Sequence, residues 1–309
     1  MAAYLEPYNR SELADRIKAA KDLLHNCHVC PRHCGINRLV GETGKCRTGK
    51  NAIISSYGPH FGEESPLVGQ HGSGTIFFTN CNLQCLFCQN YSISQLGNGS
   101  EVSKEELAGI MLSLQKMGCH NINLVSPTHV VPQILEALEL AINLGLHLPL
   151  VYNSGGYDRT EVLSILDGII DIYMPDMKYS DDATAKDLSG IEDYTSYNKS
   201  AVKEMHRQVG DLQLDRANIA TRGLLIRHLV LPHELAGTKE TVEYISRGIS
   251  PHSYVNIMDQ YRPCYQAHKR KQLSRTISHQ EFSEAIELAN ESGLYRLDKR
   301  GQYIIKTVK

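Results

Sequence analysis

The sequence holds no tryptophan and only five phenylalanines in 309 residues. Its aromatic weight falls on 16 tyrosines, whose hydroxyls need partners wherever the rings are buried. No apolar run reaches membrane-spanning length, which argues against a transmembrane helix. The opening "MAAYLEPYNRSELADRIKAAKDLL" lacks a basic region followed by an apolar stretch, so it does not read as a signal peptide. Charge of either sign is not in excess. A formal net charge of −2 gives no bulk reason to expect nucleic acid or a membrane surface as partner. No Gly-x-Gly-x-x-Gly follows a strand candidate, which weakens a dinucleotide-binding reading. What remains is ordinary: 41% apolar and 21% charged residues, enough chain to bury a sizeable core. The expected location is the cytoplasm, where thiols stay reduced.

Nine cysteines make an odd count, which argues against a closed disulfide framework. Seven fall in two clusters, Cys27, Cys30, Cys34 and Cys46, then Cys81, Cys85 and Cys88. Cys119 and Cys264 stand alone. Clustered cysteines in a reducing compartment point to metal. The second cluster, "TNCNLQCLFCQN", is spaced C-x3-C-x2-C with no fourth cysteine near. Three thiolates suit a zinc with a water or further protein ligand, or a [4Fe–4S] cube with one iron left open.

Hydrophobic spacing predicts a helix from Asn9 to about His25, with Ser11 as N-cap. An irregular, turn-rich stretch, "YGPHFGEESPLVGQHGSG", then leads to Thr75. From there short β-branched runs alternate with helical stretches. The strand candidates are 75–80, 122–126, 148–154, 169–178, 224–231 and 254–260. Helices are expected after Ser103 and Ser278, each opening a capping box with Glu106 or Glu281. Others are expected from Pro132 and near 160–168, 196–209 and 238–249. Six βα units imply a parallel sheet with right-handed crossovers, as an open doubly wound sheet or a partial barrel.

In such folds the working site lies at the carboxyl ends of the strands. Each candidate strand delivers polar groups there. They are the three cysteines, "SPTH" (126–129), "NSGGYD" (153–158), Asp176 and Lys178, Arg227 and His228, and "QYRP" (260–263). Asp176 and Lys178 are two apart and share a face, which also suits an ion pair within the barrel. Arg227 also suits a structural barrel arginine. His129, His228 and His233 read as packed or surface histidines. Gly155 and Gly156 read as a turn or as a close backbone approach to a ligand. Asn90 and Tyr91 stand beside the cysteines, and Cys264 reads as a radical donor or an ordinary buried thiol.

The loop resembles the radical S-adenosylmethionine (SAM) family, whose signature is C-x3-C-x-aromatic-C, with Phe87 in the aromatic slot. That resemblance implies a partial (β/α)6 TIM-type barrel with the cube in the loop after its first strand. It implies Cys81, Cys85 and Cys88 as ligands of a [4Fe–4S] cluster whose open iron is chelated by SAM. It also implies reductive cleavage of SAM to a 5′-deoxyadenosyl radical that abstracts hydrogen from a substrate, with a flavodoxin or ferredoxin as reductant. "CNLQCLFCQNYSIS", "YGPHFGEE", "HNINLVSPTH", "VYNSGGYD", "DIYMPDMKY", "RGLLIRHLVLP" and "QYRP" look like an uncharacterised branch related to pyruvate formate-lyase activating enzymes. Those enzymes carry Gly-Gly-Glu after the second strand, where this chain reads Ser126-Pro127-Thr128-His129. The likeness implies SAM-binding roles for Asn153, Asp176, Lys178 and Arg227, with Ser126, Thr128 or main-chain carbonyls in place of the missing acid.

The chain thus divides into an N-terminal helix and Cys-rich extension (1–74) and a radical SAM partial barrel (75–309). Cys27, Cys30, Cys34 and Cys46 suit a structural zinc, a second Fe–S cluster or a set of unmetallated thiols. Their basic flank (Arg32, Arg38, Lys45, Arg47, Lys50) balances thiolate charge, touches substrate or forms a solvated face. The substrate is a partner protein, as in glycyl-radical activation, or a small molecule. A non-catalytic zinc or Fe–S sensor is the reading from another class.

Overall fold

A computed structural model describes residues 1–298. The N-terminal strap is α1 (Leu5–Asn9) and α2 (Leu13–Asp22). Next come β1 (Ala52–His60), α3 (Ser65–Val68), β2 (Ser73–Phe78), α4 (Tyr91–Ser94) and β3 (Ser100–Val102). The alternation proper runs α5 (Lys104–Lys116), β4 (Ile122–Val125), α6 (Val131–Asn143), β5 (Leu150–Ser154), α7 (Thr160–Ile165) and β6 (Ile172–Pro175). It continues α8 (Asp182–Ser189), α9 (Tyr194–Val209), β7 (Gln213–Leu214), β8 (Ala220–Leu229), α10 (Thr238–Tyr244), β9 (Tyr254–Met258), α11 (His279–Glu291) and β10 (Arg296–Leu297).

The strands form one curved sheet in the order β10-β9-β8-β6-β5-β4-β2-β1-β3, with β7 beside β8. From β2 to β10 along that order every pairing is parallel. The six predicted strands are its centre, in chain order, and no bond closes β10 on β3 among the described residues. This is the partial (β/α)6 barrel that the resemblance implies, one of the two forms the alternation left open.

Both capping boxes form as expected at Ser103/Glu106 and Ser278/Glu281. Ser11 does not cap its helix. Its φ is +60°, it turns the chain between α1 and α2, and Glu12 holds the N-cap position without a side-chain bond. The stretch leading to Thr75 is more regular than its turn residues suggest. Tyr57–His60 extend β1, which pairs antiparallel with β2 and so lies outside the βα pattern.

Three cores fix the site. Helices α5, α6, α7, α9, α10 and α11 bury Leu107, Met111, Leu135, Leu138, Leu163, Met205, Val242 and Phe282 against the outer sheet face. Inside the barrel, Val151, Ile172, Met174 and Leu225 meet Leu67 of α3, which closes the amino end. At the carboxyl end Leu83, Phe87, Tyr157, Tyr179, Tyr194 and Tyr261 pack around the second cysteine loop. No helix among the described residues is long and apolar enough to cross a membrane.

Candidate functional site

Strand β2 ends at Phe78, and the chain breaks from the sheet through Asn80, at φ +71°. Gln84 is also left-handed, at φ +59°, midway along the cysteine loop. Such conformations in non-glycine residues need support from their surroundings. Asn82 donates to the Tyr157 carbonyl at 2.8 Å, Leu86 N–H to Leu188 at 2.9 Å, and the Leu86 carbonyl accepts from Gln266 N–H at 2.9 Å. Phe87 turns its edge to Tyr179 and Tyr261, with centroids 6.4 and 6.0 Å away.

Donors already aim at the sulfurs. Leu83 N–H stands 3.4 Å from Cys81 Sγ, Ser94 Oγ 3.1 Å from Cys88 Sγ, and Ser189 Oγ 3.1 Å from Cys85 Sγ. Burial pushes the Cys81 thiol up to about 12 and raises Cys88 as well. Burial thus favours the protonated form of bare Cys81 and Cys88, whereas a metal would take thiolates and leave these donors to stabilise them.

The three cysteines line a pocket of about 130 Å³ with Ser126, Asn153, Asp176, Lys178 and Arg227. Four more of the predicted strand ends thus converge on the cysteine loop. Arg227 on β8 donates from Nε to Asp176 at 2.8 Å and from Nη2 to Asn153 Oδ1 at 2.7 Å. Lys178 Nζ donates to the other Asp176 oxygen. Burial would raise the Asp176 carboxyl, but the Arg227 and Lys178 cations outweigh it and the net direction is down. Burial likewise opposes Lys178, and Asp176 reverses it upward. Asp176 thus holds two cations side by side at the pocket wall.

Thr128 is not on the pocket wall. It donates instead to Asp158 at 2.7 Å, which also accepts from Tyr152 and Ser154, each at 2.8 Å. That buried carboxylate braces the turn at Gly155 and Gly156. A Cβ at Gly155 would stand 2.1 Å from Leu83 Cδ1, and Gly156 has φ +73°. Here the glycines let the β5 end approach the cysteine loop and β6. Tyr91 stacks on Tyr265 at 5.5 Å, Asn90 joins the pocket wall, and Cys264 does not. His129 and His228 are packed histidines, held neutral chiefly by burial, each down to about 4, and His233 is exposed.

Sequence reasoning missed Ser94, Ser189 and the pair Glu63–Glu64. Glu64 is 4% exposed, 3.8 Å from Arg227 Nη1, and accepts from Asn256 at 3.0 Å. Glu63 accepts from, or pairs with, His60 at 3.0 Å. Both lie beneath the pocket, in the stretch taken for irregular loop. "GEE" carries no sequence mark that separates a buried carboxylate from a solvated one.

A larger cleft of about 440 Å³, lined by Glu234, Glu240, Glu281 and Glu284, lies elsewhere and holds no thiol. The first cysteine cluster lines a small cavity of about 10 Å³ with Arg38 and His129. Cys27, Cys30 and Cys46 are buried and Cys34 is half-buried. Its flanking basic residues do not form a solvated face throughout. Arg32 donates to carbonyls of Asn82, Leu83, Ser189 and Gly190, and Arg47 to Asn80 Oδ1 and the Gln95 carbonyl. In neither cysteine cluster are three or more side chains posed as ligands of one ion, among the described residues.

An uncharacterised protein of Methanocaldococcus jannaschii is 32% identical over 302 residues, covering 94% of this chain and 81% of that protein. A second uncharacterised protein of the same organism is 27% identical over 159 residues, 45% of this chain and 46% of its own. A solved radical SAM methyltransferase from Sphaerobacter thermophilus aligns with TM-score 0.48 at 12% identity, over 71% of this chain and 64% of that one. Methylornithine synthase aligns with TM-score 0.48 at 15% identity, over 69% and 60%. The chain therefore spans less than two thirds of either solved structure. The sequence model of the Radical SAM superfamily matches residues 75–245, more than half the chain, from the first parallel strand through the cysteine loop to the strand-end cations. With that match laid over the pocket just described, the chain belongs to the radical SAM superfamily.

Proposed function

We propose that the protein is a radical SAM enzyme whose working centre is the pocket walled by Cys81, Cys85, Cys88, Asn153, Asp176, Lys178 and Arg227. The observation that carries the reading is the convergence of three donor-dressed sulfurs with a cation–carboxylate–cation bridge on one pocket. The donor set fits the cofactors the family implies. Three thiolates suit a [4Fe–4S] cluster with one open iron. The Lys178 and Arg227 donors suit the carboxylate of SAM, and Asn153 and Ser126 offer polar atoms beside them.

When bound, the cluster and SAM supply reductive sulfonium cleavage and a hydrogen-abstracting radical, chemistry that belongs to the cofactors. The chain's own work is placement. Asp176 holds the Arg227 and Lys178 heads in fixed positions, so that little side-chain entropy is lost when an anion arrives. Leu83 N–H, Ser94 and Ser189 stabilise negative charge on the ligand sulfurs. Leu83, Phe87 and the tyrosines behind them keep water from the loop's back. The four N-terminal thiols form a second metal site, for zinc or iron–sulfur. The hydrogen donor is a glycine of a partner protein or a small molecule, and mass spectrometry of candidate donors tells these apart.

The test is SAM cleavage. The wild type, reconstituted without oxygen and given SAM and dithionite, is expected to release 5′-deoxyadenosine, and Cys85→Ala none. A protein shown by iron and sulfide analysis to hold its cluster, yet making no product with or without candidate donors, would sink the enzyme reading in favour of a sensor.

A further inference from the structure

Glu63 and Glu64 are 8% and 4% exposed, beneath the cysteine pocket. Glu64 Oε1 accepts from Asn256 Nδ2 at 3.0 Å and stands 3.8 Å from Arg227 Nη1, too far for a hydrogen bond. Arg227 directs its bonds to Asp176 and Asn153 instead. Glu64 Oε2 is buried and has no partner. Asn123 on β4 is fully buried, and its Oδ1 has none either. Asn123 stands in parallel register with Val151, which packs inside the barrel, so Asn123 faces the lumen too.

Burial would raise both glutamate carboxyls. His60, Arg227 and Asn123 reverse this for Glu63, and Glu64 stays raised. Asn123 therefore lies beside the pair. Around Arg227 three carboxylates, Asp176, Glu63 and Glu64, meet two fixed cations, Arg227 itself and Lys178. The half-buried His60 adds a charge only when protonated. Two acceptors in one lumen thus lack donors, in a setting short of positive charge. Groups left so cost stability and call for a reason. An ammonium group answers both needs, since it carries three donors and the missing charge.

We infer that Glu63, Glu64 and Asn123 form the polar floor of the substrate site, and that the substrate is a small molecule bearing an amine. The inference rests on the pocket above being the radical centre, and it chooses between the two substrate classes given there. Val125, Asn153 and Arg227 line that pocket, and Asn123 lies two residues before Val125 on the same strand, ~7 Å deeper in the lumen. A molecule held on the floor therefore extends upward into the pocket. A glycine of a partner protein brings neutral main chain and no cation, which gives buried carboxylates nothing to hold. The floor is also built in rather than loose. Ser65, the next residue, donates to Asp298 just past β10 from its N–H at 3.2 Å and its hydroxyl at 3.3 Å, which ties the segment to the far end of the sheet. A site with buried acceptors strongly rejects an analogue that lacks the donor.

Two measurements on the full chain, reconstituted anaerobically, test this. In the first, the melting temperature is read at fixed pH with methylamine, ethanolamine and putrescine, beside the neutral methanol, ethylene glycol and 1,4-butanediol, with SAM and without it. At least one amine is expected to raise it and no alcohol, and Glu64→Gln and Asn123→Leu are each expected to weaken the amine's apparent affinity about tenfold or more. No rise with any amine, or a rise that Glu64→Gln leaves intact, overturns the inference. In the second, ligand-free Glu64→Gln is compared with wild type. A carboxylate kept for a ligand costs stability in the ligand's absence, so the variant is expected to melt at the parental temperature or about 2–4 °C above it. A lower melting temperature makes Glu64 a structural counter-ion of Arg227 and overturns the inference as well. Neither measurement needs turnover. Deoxyadenosine from the wild type with no amine bound fails this inference alone, whereas an amine bound with no deoxyadenosine under any condition fails the radical reading and leaves a binding site.

Discussion

At the scale of single residues, the hydroxyl of Ser189 has the clearest expected effect. It stands 3.1 Å from Cys85 Sγ and 2.7 Å from the buried hydroxyl of Tyr179. With Ser189 donating to sulfur, Tyr179 donates to Ser189, and the two form a short relay onto the Cys85 sulfur. One such bond is worth ~1 kcal/mol, or about 40 mV for one electron. Ser189→Ala is therefore expected to move the catalytic cluster's potential negative by about that much, in a redox titration, with iron content kept. A potential that does not move would mean that Ser189 is no donor to a ligand sulfur. Such residues were not legible in the sequence. Cys81, Cys85 and Cys88 were, because their spacing is local, and Asn153, Asp176, Lys178 and Arg227 were, because strand ends are periodic. Ser189 meets Cys85 across 104 positions of chain, and nothing near either residue marks the contact. Thr128 shows the converse. It is two positions from Ser126 on the pocket wall, yet its hydroxyl is bound to Asp158.

At the scale of elements, one buried carboxylate joins the N-terminal strap to the sheet. Asp171, just before β6, accepts from Ala3 N–H at 2.8 Å and from Leu150 N–H of β5 at 2.9 Å. Burial pushes its carboxyl up to about 6, against those two bonds. An unfolded aspartate titrates near ~3.9, so the folded chain holds this proton more tightly. Its contribution is fully present below about pH 4 and is lost as pH rises to about 6, a change of order 3 kcal/mol. Denaturant unfolding at pH 4 and pH 7 is expected to show that loss in the wild type relative to Asp171→Asn. Parallel pH profiles for the two proteins would refute it. Elements with chemical punctuation were readable from sequence, as the capping boxes at Ser103 and Ser278 show. The strand β1 was not, because "YGPH" reads as a turn until β2 pairs with it. Helix α8 was missed too, although Asp181 caps it through Thr184 N–H at 2.8 Å, since its eight residues bury only Ala185, Leu188 and Ser189. Ser11 looked like a cap because caps are defined by residue type in sequence, whereas its backbone turns left-handed between two short helices.

At the scale of the whole molecule, the Cys-rich segment is bound to the second cysteine loop rather than appended to it. Arg32 lies between Cys30 and Cys34, and one guanidinium reaches four carbonyls. Asn82 and Leu83 belong to the cysteine loop, at 2.8 and 3.1 Å, while Ser189 and Gly190 end α8, at 3.2 and 2.8 Å. The carbonyl of Lys45, next to Cys46, accepts from the Gln84 side chain in the loop. The loop's left-handed residues, Asn80 and Gln84, are therefore held from the N-terminal side. Arg32→Ala removes a planar donor set that lysine cannot reproduce. The four bonds are not additive, and a loss of about 2–4 kcal/mol is the scale for such a network. Hydrogen–deuterium exchange is expected to quicken at 81–88 and 186–190, with faster iron loss from the catalytic site, while β5, β6 and β8 keep their protection. Arg32→Lys is expected to fall nearer to alanine than to wild type, because the fork and not the charge does the holding. A rise in exchange spread evenly over the sheet would instead mean that Arg32 supports global stability, and the two cysteine segments would then have to be treated as independent units.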